Sequence, residues 1–158
     1  MNINVYGVKK DEKGAPVLCV KEAHDAVNPV LNEPKLITDQ LNDIFDAKNL
    51  AEEHVFLLSL DSACHPIGAF EVSHGVINAS LLQPREIFVR ACLSGASTIV
   101  IAHNHPSGDV TPSKADTDVT KIMIQMGRMM KINLSDHIII GKSFFSYREN
   151  CCEMFEES

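Results

Sequence analysis

Short runs of alternating or unbroken hydrophobic residues recur along this chain, and they predict a sheet. Ile3 to Val8 alternates apolar and polar positions, and Val17 to Val20 follows across a turn that contains Gly14. Both patterns are typical of paired strands. The apolar runs Val55 to Leu60 and Ile67 to Val72 are separated by a short polar link. That spacing predicts an antiparallel hairpin.

The second half of the chain interleaves helical and strand patterns. Pro84 opens an apolar helix face, and the continuous apolar run Ser97 to Ala102 is typical of a strand covered on both faces. A helix is predicted from Lys114 to about Met130, with its methionines filling core space. Ile138 to Ile140 and Phe144 to Tyr147 predict a closing pair of strands. The predicted fold is therefore an α/β (α+β) sandwich, with a mixed central sheet flanked by helices.

The segments between and after these elements are predicted to be less regular. Val27 to Ile37 contains two prolines and is interpreted as a connector. Thr38 is predicted to cap a helix that begins at Asp39. Cys151 to Ser158 is acidic and predicted to fray.

Composition narrows the class of protein. A chain of 158 residues fits one domain. The net charge is −7 and no basic cluster extends beyond Lys9-Lys10, which disfavours direct DNA binding. Five cysteines without a CxxC motif predict reduced thiols. Since no secretory signal and no apolar run of about 18 residues is visible, we predict a cytoplasmic protein that does not associate with membranes.

The chemically informative stretch begins where the buried strand ends. His103 and His105 lie two positions apart, so that both imidazoles can point to the same side and bind one ion. Asp116 falls in the first turn of the next helix, which a Pro/Gly-rich loop can fold back over the strand end. Two histidines and one carboxylate leave one position of a tetrahedral zinc ion open, as in catalytic sites. The predicted cofactor is Zn²⁺.

Structural interpretations compete with this chemistry. Ser113 and Asp116 also match a capping box, in which each side chain caps the other residue's backbone N–H. For Ser113 the spacing alone favours capping. Asp109 and Asp118 are alternative carboxylates, although Asp109 fits a turn better.

A hydrolytic zinc site also needs a general base. Glu71 is the first candidate, because it interrupts an apolar strand and points away from Phe70 and Val72. The alternative is a glutamate on the solvent face of a hairpin. Glu86 is a weaker candidate, since the first turn of a helix favours an acidic residue anyway.

These residues resemble a known motif. The sequence resembles the JAMM pattern of the JAB/MPN metalloproteins: a distant Glu71, then an H-x-H, seven residues, Ser113, two residues and Asp116. The loop His103 to Ser113 resembles the RadC-like branch of that family. So do Pro84-Arg85-Glu86, Asp136 to Gly141 and Ser146 to Glu149. The resemblance covers residues 35–150. It leaves residues 1–34 as N-terminal strands and a connector in the same unit, and 151–158 as an acidic tail.

The resemblance implies a cytidine-deaminase-like sandwich that binds zinc through His103, His105 and Asp116. It implies that Glu71 is the acid/base and that Ser113 donates a hydrogen bond to the oxyanion. The implied reaction is the hydrolysis of an amide or isopeptide bond in a protein or peptide substrate, which the sequence does not identify.

Three departures from the family pattern accompany the resemblance. Longer RadC-like proteins carry a preceding helix-hairpin-helix region, whereas strands are predicted here, as in the short prophage-type form. Gln83 stands where the family often has His, and Gly75-Val76 where Gly-Thr is common. None of these positions is a predicted ligand.

Two other functions are compatible with the resemblance. One is a nucleic-acid-associated accessory module in DNA repair or mobile-element biology. The other is a non-catalytic MPN scaffold. The negative net charge argues against the first, and the intact ligand set argues against the second.

Overall fold

A computed structural model describes residues 1–75 and 82–156, within which seven strands form one sheet. The strands are β1 (Asn2–Lys10), β2 (Pro16–Asp25), β3 (Glu53–Leu60), β4 (Pro66–Gly75), β5 (Thr98–Asn104), β6 (Asn133–Ile140) and β7 (Phe144–Ser146). The helices are α1 (Pro34–Phe45), α2 (Pro84–Ser94), α3 (Lys114–Met130), α4 (Tyr147–Asn150) and α5 (Glu153–Glu156), with a short 3₁₀ turn at Ala47–Asn49.

The sheet is mixed, and its strand order is β2-β1-β4-β3-β5-β6-β7. The hairpins β1–β2, β3–β4 and β6–β7 are antiparallel, as is the pair β3–β5. The pairs β1–β4 and β5–β6 are parallel, and α3 makes the crossover between β5 and β6. The predicted α/β fold with a mixed central sheet is confirmed.

Helices cover both faces of the sheet, so successive residues of the central strands enter two different cores. We call the side packed by α2 and α3 the α3 face, and the side packed by α1 the α1 face. Core residues on the α3 face include Val55, Leu57, Phe70, Ile87, Ile99, Ile101 and Met123. Core residues on the α1 face include Ile37, Leu41, Phe56, Leu58, Val100, Ala102 and Ile138. Burial on both faces explains the unbroken apolar run in β3.

The start of α1 differs from the prediction. The helix begins at Pro34, not after Thr38. A proline in the first turn costs no hydrogen bond there and presets its backbone angle. The Thr38 hydroxyl lies inside the helix and donates to the Pro34 carbonyl oxygen at 2.8 Å, so it does not cap.

Helix α3 has the predicted bounds. Of its methionines, Met123 is fully buried as predicted, but Met130 is 44% exposed.

The C-terminal tail is more ordered than predicted. The predicted fraying of the tail is corrected for residues up to 156, because Met154 and Phe155 of α5 pack against the α3-face core. Residues 157–158 of the predicted tail lie outside the described residues, as does Val76.

Among the helices of residues 1–75 and 82–156, none has the length and apolar content needed to cross a bilayer.

Close packing of α3 on the chain that enters β6 yields a stability prediction. We expect Gly127→Ala to lower the free energy of unfolding, because the added Cβ would lie 2.6 Å from the Ile132 carbonyl oxygen. The expected loss is about 1–3 kcal/mol, although alanine is the better helix former by about 1 kcal/mol. Urea denaturation measures it. Gln125→Ala, at an exposed site of the same helix, should change stability by less than about 0.5 kcal/mol. A stabilised Gly127→Ala variant would contradict this packing.

Candidate metal centre

The end of β5 positions the two predicted histidines. His103 lies within the strand and is 3% exposed, on the α3 face with Ile101. His105 follows the strand, and its backbone N–H donates to the Ile140 carbonyl oxygen at 2.8 Å. This bond continues the β5–β6 pairing by one residue. Both imidazoles therefore lie at the same edge of the sheet.

The next loop is short and tied down at both ends. The Gly108 N–H donates to the His105 carbonyl oxygen at 2.9 Å, and the Lys142 N–H donates to the Gly108 carbonyl oxygen at 3.1 Å. Gly108 has a φ of +84°, a conformation that favours glycine. The turn therefore brings the N-terminus of α3 back towards β5.

Ser113 and Asp116 form the capping box that the sequence left open. Ser113 Oγ accepts a hydrogen bond from the Asp116 N–H at 3.0 Å, and Asp116 Oδ2 accepts one from the Ser113 N–H at 2.8 Å. As an acceptor there, Ser113 Oγ keeps its own hydrogen for donation. The cap also fixes the Asp116 carboxylate against the histidines.

The structure brings His103, His105 and Asp116 together around one point. The two Nε2 atoms are 3.0 Å apart. Asp116 Oδ1 lies 3.3 Å from His103 Nε2, and Asp116 Oδ2 lies 3.6 Å from His105 Nε2. In a tetrahedral zinc site with bonds of about 2.0–2.1 Å, neighbouring ligand atoms are about 3.3 Å apart. The three side chains therefore fit a single zinc ion.

Hydrogen bonds on the far side of each ring determine which nitrogen is free. His105 Nδ1 lies 2.7 Å from the Asp109 carbonyl oxygen. Because a carbonyl only accepts, that nitrogen carries the hydrogen, and Nε2 of the neutral ring presents a lone pair to the site.

A buried chain of hydrogen bonds determines the tautomer of His103. Thr120 Oγ1 lies 2.6 Å from the Asp116 carbonyl oxygen and must donate to it. His137 Nδ1, 2.6 Å from the same Oγ1, must then donate to the hydroxyl. That leaves His137 Nε2 as the acceptor for His103 Nδ1–H at 2.9 Å. His103 Nε2 therefore also presents a lone pair to the site.

This chain requires a neutral His137, and the surroundings favour that form. Full burial, reinforced by the nearby His103, holds the pKa of His137 well below its ordinary value. Tyr147 stacks on its ring with centroids 5.1 Å apart, and the tyrosine hydroxyl lies 3.0 Å from Thr117 Oγ1. Aromatic packing and hydrogen bonding thus hold His137 in place behind His103, a candidate metal ligand.

Charge at the site favours a cation. Burial raises the pKa of the Asp116 carboxyl, but His103 and His105, when their Nε2 atoms carry hydrogen in place of an ion, outweigh it and hold that pKa well below its usual range. Donation of that hydrogen to Asp116 in turn raises the pKa of His105, so a proton and a metal ion compete for the same Nε2 atom. Asp116 is therefore ionised at neutral pH and available as a ligand.

A second carboxylate, from Glu53, reaches the same site. Glu53 opens β3, and its Oε1 lies 4.0 Å from His103 Nε2. It shares the α3 face with Val55, which pairs directly with His103 across β3–β5. Its carboxylate oxygen and one nitrogen of each of His103 and His105 lie within 4.8 Å of one another. Glu53 is therefore placed at the centre, at a longer distance than Asp116.

The structure does not bring Glu71 to His103 and His105. Glu71 pairs with Phe56 and lies on the α1 face, whereas His103 is on the α3 face. Its Oε1 instead lies 2.8 Å from His54 Nδ1 and 3.0 Å from His74 Nδ1. Because the sheet separates Glu71 from the centre, we replace it by Glu53 as the candidate base.

The other carboxylates considered from the sequence have local partners. Glu86 pairs with Arg85 and Arg90, and Asp118 pairs with Lys114. The Asp109 carboxylate accepts from Thr111. These contacts account for all three without a metal.

Sequence reasoning missed Glu53, Thr120 and His137. A usable signal existed for Glu53, which stands two residues before Val55 and so shares its face in a strand. His137 was visible as a histidine in an apolar strand. Its link to Thr120 depends on how α3 docks, which no local pattern contains.

A cleft adjoins the centre on the side of Glu53. Its volume is about 480 Å³, and it is lined by Ala51, Glu52, Glu53, Gly75, His105, Pro106 and Ser107. Since His105 and Glu53 both reach the centre and the cleft wall, a bound molecule in the cleft would touch both.

A mixed sheet with two histidines and one carboxylate at the end of a strand defines an α/β domain with side chains that could hold a metal ion. The chain belongs to the RadC-like JAB domain family, whose model matches residues 31–152. The resemblance predicted from the motifs is therefore confirmed. Family membership supports metal-dependent hydrolysis as the class of function.

Several bacterial proteins named UPF0758 protein are similar to this chain. One from Chlorobium phaeovibrioides is 45% identical over 100 residues, which cover 63% of this chain and 45% of that protein. One from Pelodictyon phaeoclathratiforme is 36% identical over 160 residues, which cover 94% and 72%. One from Clostridium perfringens is 42% identical over 116 residues, which cover 73% and 48%. The chain spans about half the length of most of these curated relatives, and their shared name describes no activity.

The buried chain behind His103 yields a prediction about metal affinity. We expect Thr120→Val to weaken zinc binding by about 10- to 100-fold, the usual effect of removing a residue that orients a ligand. Thr120→Ser keeps the hydroxyl and should stay close to the wild type. Competition with a chromogenic zinc chelator measures both. Equal affinities for the two variants would contradict the proposed role of the hydroxyl.

Proposed function

We propose that this chain is a zinc-dependent hydrolase of amide bonds in a peptide or protein substrate, with His103, His105 and Asp116 as ligands. One observation carries the proposal. Two imidazole lone pairs and an ionised carboxylate converge within 3.0–3.6 Å. The two lone pairs and the negative carboxylate repel one another unless a positive charge lies between them.

Three ligands leave a coordination position for chemistry. Bound zinc supplies a Lewis acid that polarises a carbonyl and lowers the pKa of water. The donor set, with two nitrogens, one carboxylate and no thiolate, matches hydrolytic zinc sites better than structural ones. All five cysteines are free, which also supports a reducing, cytoplasmic compartment.

Glu53 is the proposed general acid and base. Its carboxylate is close enough to the proposed ligands to contact a reacting water. At 4.0 Å from His103 Nε2, it lies farther from that histidine than Asp116 does. The side chain is 27% exposed and borders the cleft. Glu53 would take a proton from the attacking water and return it to the departing amine.

Ser113 is proposed to stabilise the transition state. Its hydroxyl is held by the Asp116 N–H as an acceptor, which leaves the hydrogen to donate to a developing oxyanion. The capping role and the chemical role are therefore compatible in the same hydroxyl. The cleft beside Glu53 and His105 would receive the substrate.

Two variants separate the candidate bases. We expect Glu53→Gln to retain zinc and to lower turnover by about 100- to 10,000-fold. Glu71→Gln should leave turnover unchanged, because Glu71 lies across the sheet. Turnover is measured by mass spectrometry as zinc-dependent cleavage of a proteome-derived peptide library. Asp116→Ala, which removes a ligand, is the inactive control.

The outcomes decide among the functions that the sequence left open. Cleavage lost in Glu53→Gln and kept in Glu71→Gln supports the proposal. The reverse pattern would contradict the assignment of Glu53. A fully zinc-loaded wild type that cleaves nothing would favour the scaffold function instead.

A further inference from the structure

A second group of metal-binding side chains lies on the opposite side of the sheet from the proposed zinc centre. It consists of His54 on β3, with Glu71 and His74 on β4, and we call it the hairpin cluster. One nitrogen of each imidazole and one carboxylate oxygen lie within 4.8 Å of one another. None of its residues takes part in the proposed hydrolysis.

A β-bulge brings the cluster together. Val55 pairs with Ser73 and Phe56 with Glu71, so Val72 is the extra residue on β4. Without a bulge, residues three apart in a strand point to opposite faces. With it, Glu71 and His74 share the α1 face, and His74 pairs directly with His54. Bulges commonly re-aim side chains at functional positions.

One carboxylate oxygen serves both imidazoles. Glu71 Oε1 lies 2.8 Å from His54 Nδ1 and 3.0 Å from His74 Nδ1. The two rings stack with centroids 5.1 Å apart and planes inclined by 23°. Both rings therefore direct the same nitrogen at the same point. These separations are close to the spacing of about 3.3 Å between neighbouring ligands of tetrahedral zinc.

The cluster is held in place but remains accessible. The His54 backbone N–H donates to Asn104 Oδ1 at 2.7 Å, and the ring stacks on Phe56. Side-chain exposure rises from 16% for His54 to 36% for Glu71 and 61% for His74. An ion could therefore enter from solvent and complete its coordination with water.

The other exposed histidine–carboxylate contacts differ from this cluster. His65 Nδ1 lies 2.9 Å from Asp61, and His24 lies 3.0 Å from Glu22, each as a single pair. A single pair offers an ion two ligands, whereas the hairpin cluster offers three. His65 thus provides a matched control with the same chemistry and one imidazole fewer.

We infer that His54, Glu71 and His74 form a second metal site, distinct from the proposed zinc centre. Two imidazoles and a carboxylate suit borderline divalent ions such as Zn²⁺ or Ni²⁺ more than Mg²⁺ or Ca²⁺. Binding requires only that each neutral ring carry its hydrogen on Nε2 instead of Nδ1. An ion here would clamp β3 to β4 beside Glu53, the neighbour of His54 in the chain.

Isothermal titration with Zn²⁺ tests the inference on the whole chain. We expect two bound ions per chain in the wild type and in His65→Gln. We expect one bound ion in His74→Gln. Because the His74 side chain is 61% exposed, this substitution should not disturb folding, and a lost ion reports on the site itself. Asp116→Ala should also bind one, because it removes the other site. A matched titration of Glu71→Gln should agree with His74→Gln.

Each alternative result has a definite meaning. If His74→Gln binds as many ions as His65→Gln, the second site is overturned. If the wild type binds one ion that Asp116→Ala loses, the second site is also overturned, while the hydrolase centre stands. If the wild type binds one ion that His74→Gln loses and Asp116→Ala keeps, the second site is supported and the hydrolase centre is contradicted.

Discussion

The centre depends on the direction of one hydrogen bond, from the Thr120 hydroxyl to the Asp116 carbonyl oxygen. Because the carbonyl can only accept, every hydrogen between Thr120 and His103 is assigned in turn. The last lone pair in that series faces Asp116 and His105. A single turn of α3 thus sets both the carboxylate position and the tautomer of a ligand on β5. The docking of α3 on the sheet therefore orients a candidate metal ligand. The hydrogen bonds that do so, through Thr120 and His137, involve no charged side chain outside the centre.

The two faces of the sheet separate the remaining candidate functional side chains. Glu53 and His54 are neighbours in β3, yet their side chains enter opposite faces. Glu53 therefore joins His103 at the proposed hydrolytic centre, while His54 joins Glu71. The Asn104 side chain links the two regions, since it accepts from the His54 N–H and donates to the Glu52 carbonyl oxygen. Asn104, the residue between the two candidate ligand histidines, thus fixes the strand that carries the proposed base.

The convergence of the candidate ligands could be predicted from sequence because their geometry is local. His103 and His105 are two apart at a strand end, and Asp116 follows at the start of a helix. The base could not be predicted in the same way. Glu71 has the right residue type and strand position, but its face relative to His103 depends on strand order and register. The start of α1 was missed for a simpler reason: a proline that suits a first helical turn was interpreted as part of a connector. His137 and Thr120 meet only through tertiary docking.

The most direct test of the proposed zinc centre is the anomalous diffraction of zinc in crystals of the wild-type protein grown with the metal. We expect a zinc peak about 2.0–2.2 Å from His103 Nε2, His105 Nε2 and an Asp116 carboxylate oxygen. In that map the His103 Nδ1 atom should remain hydrogen-bonded to His137. A fully occupied zinc that avoids these three atoms, or no zinc at the end of β5, would contradict the proposed ligand set.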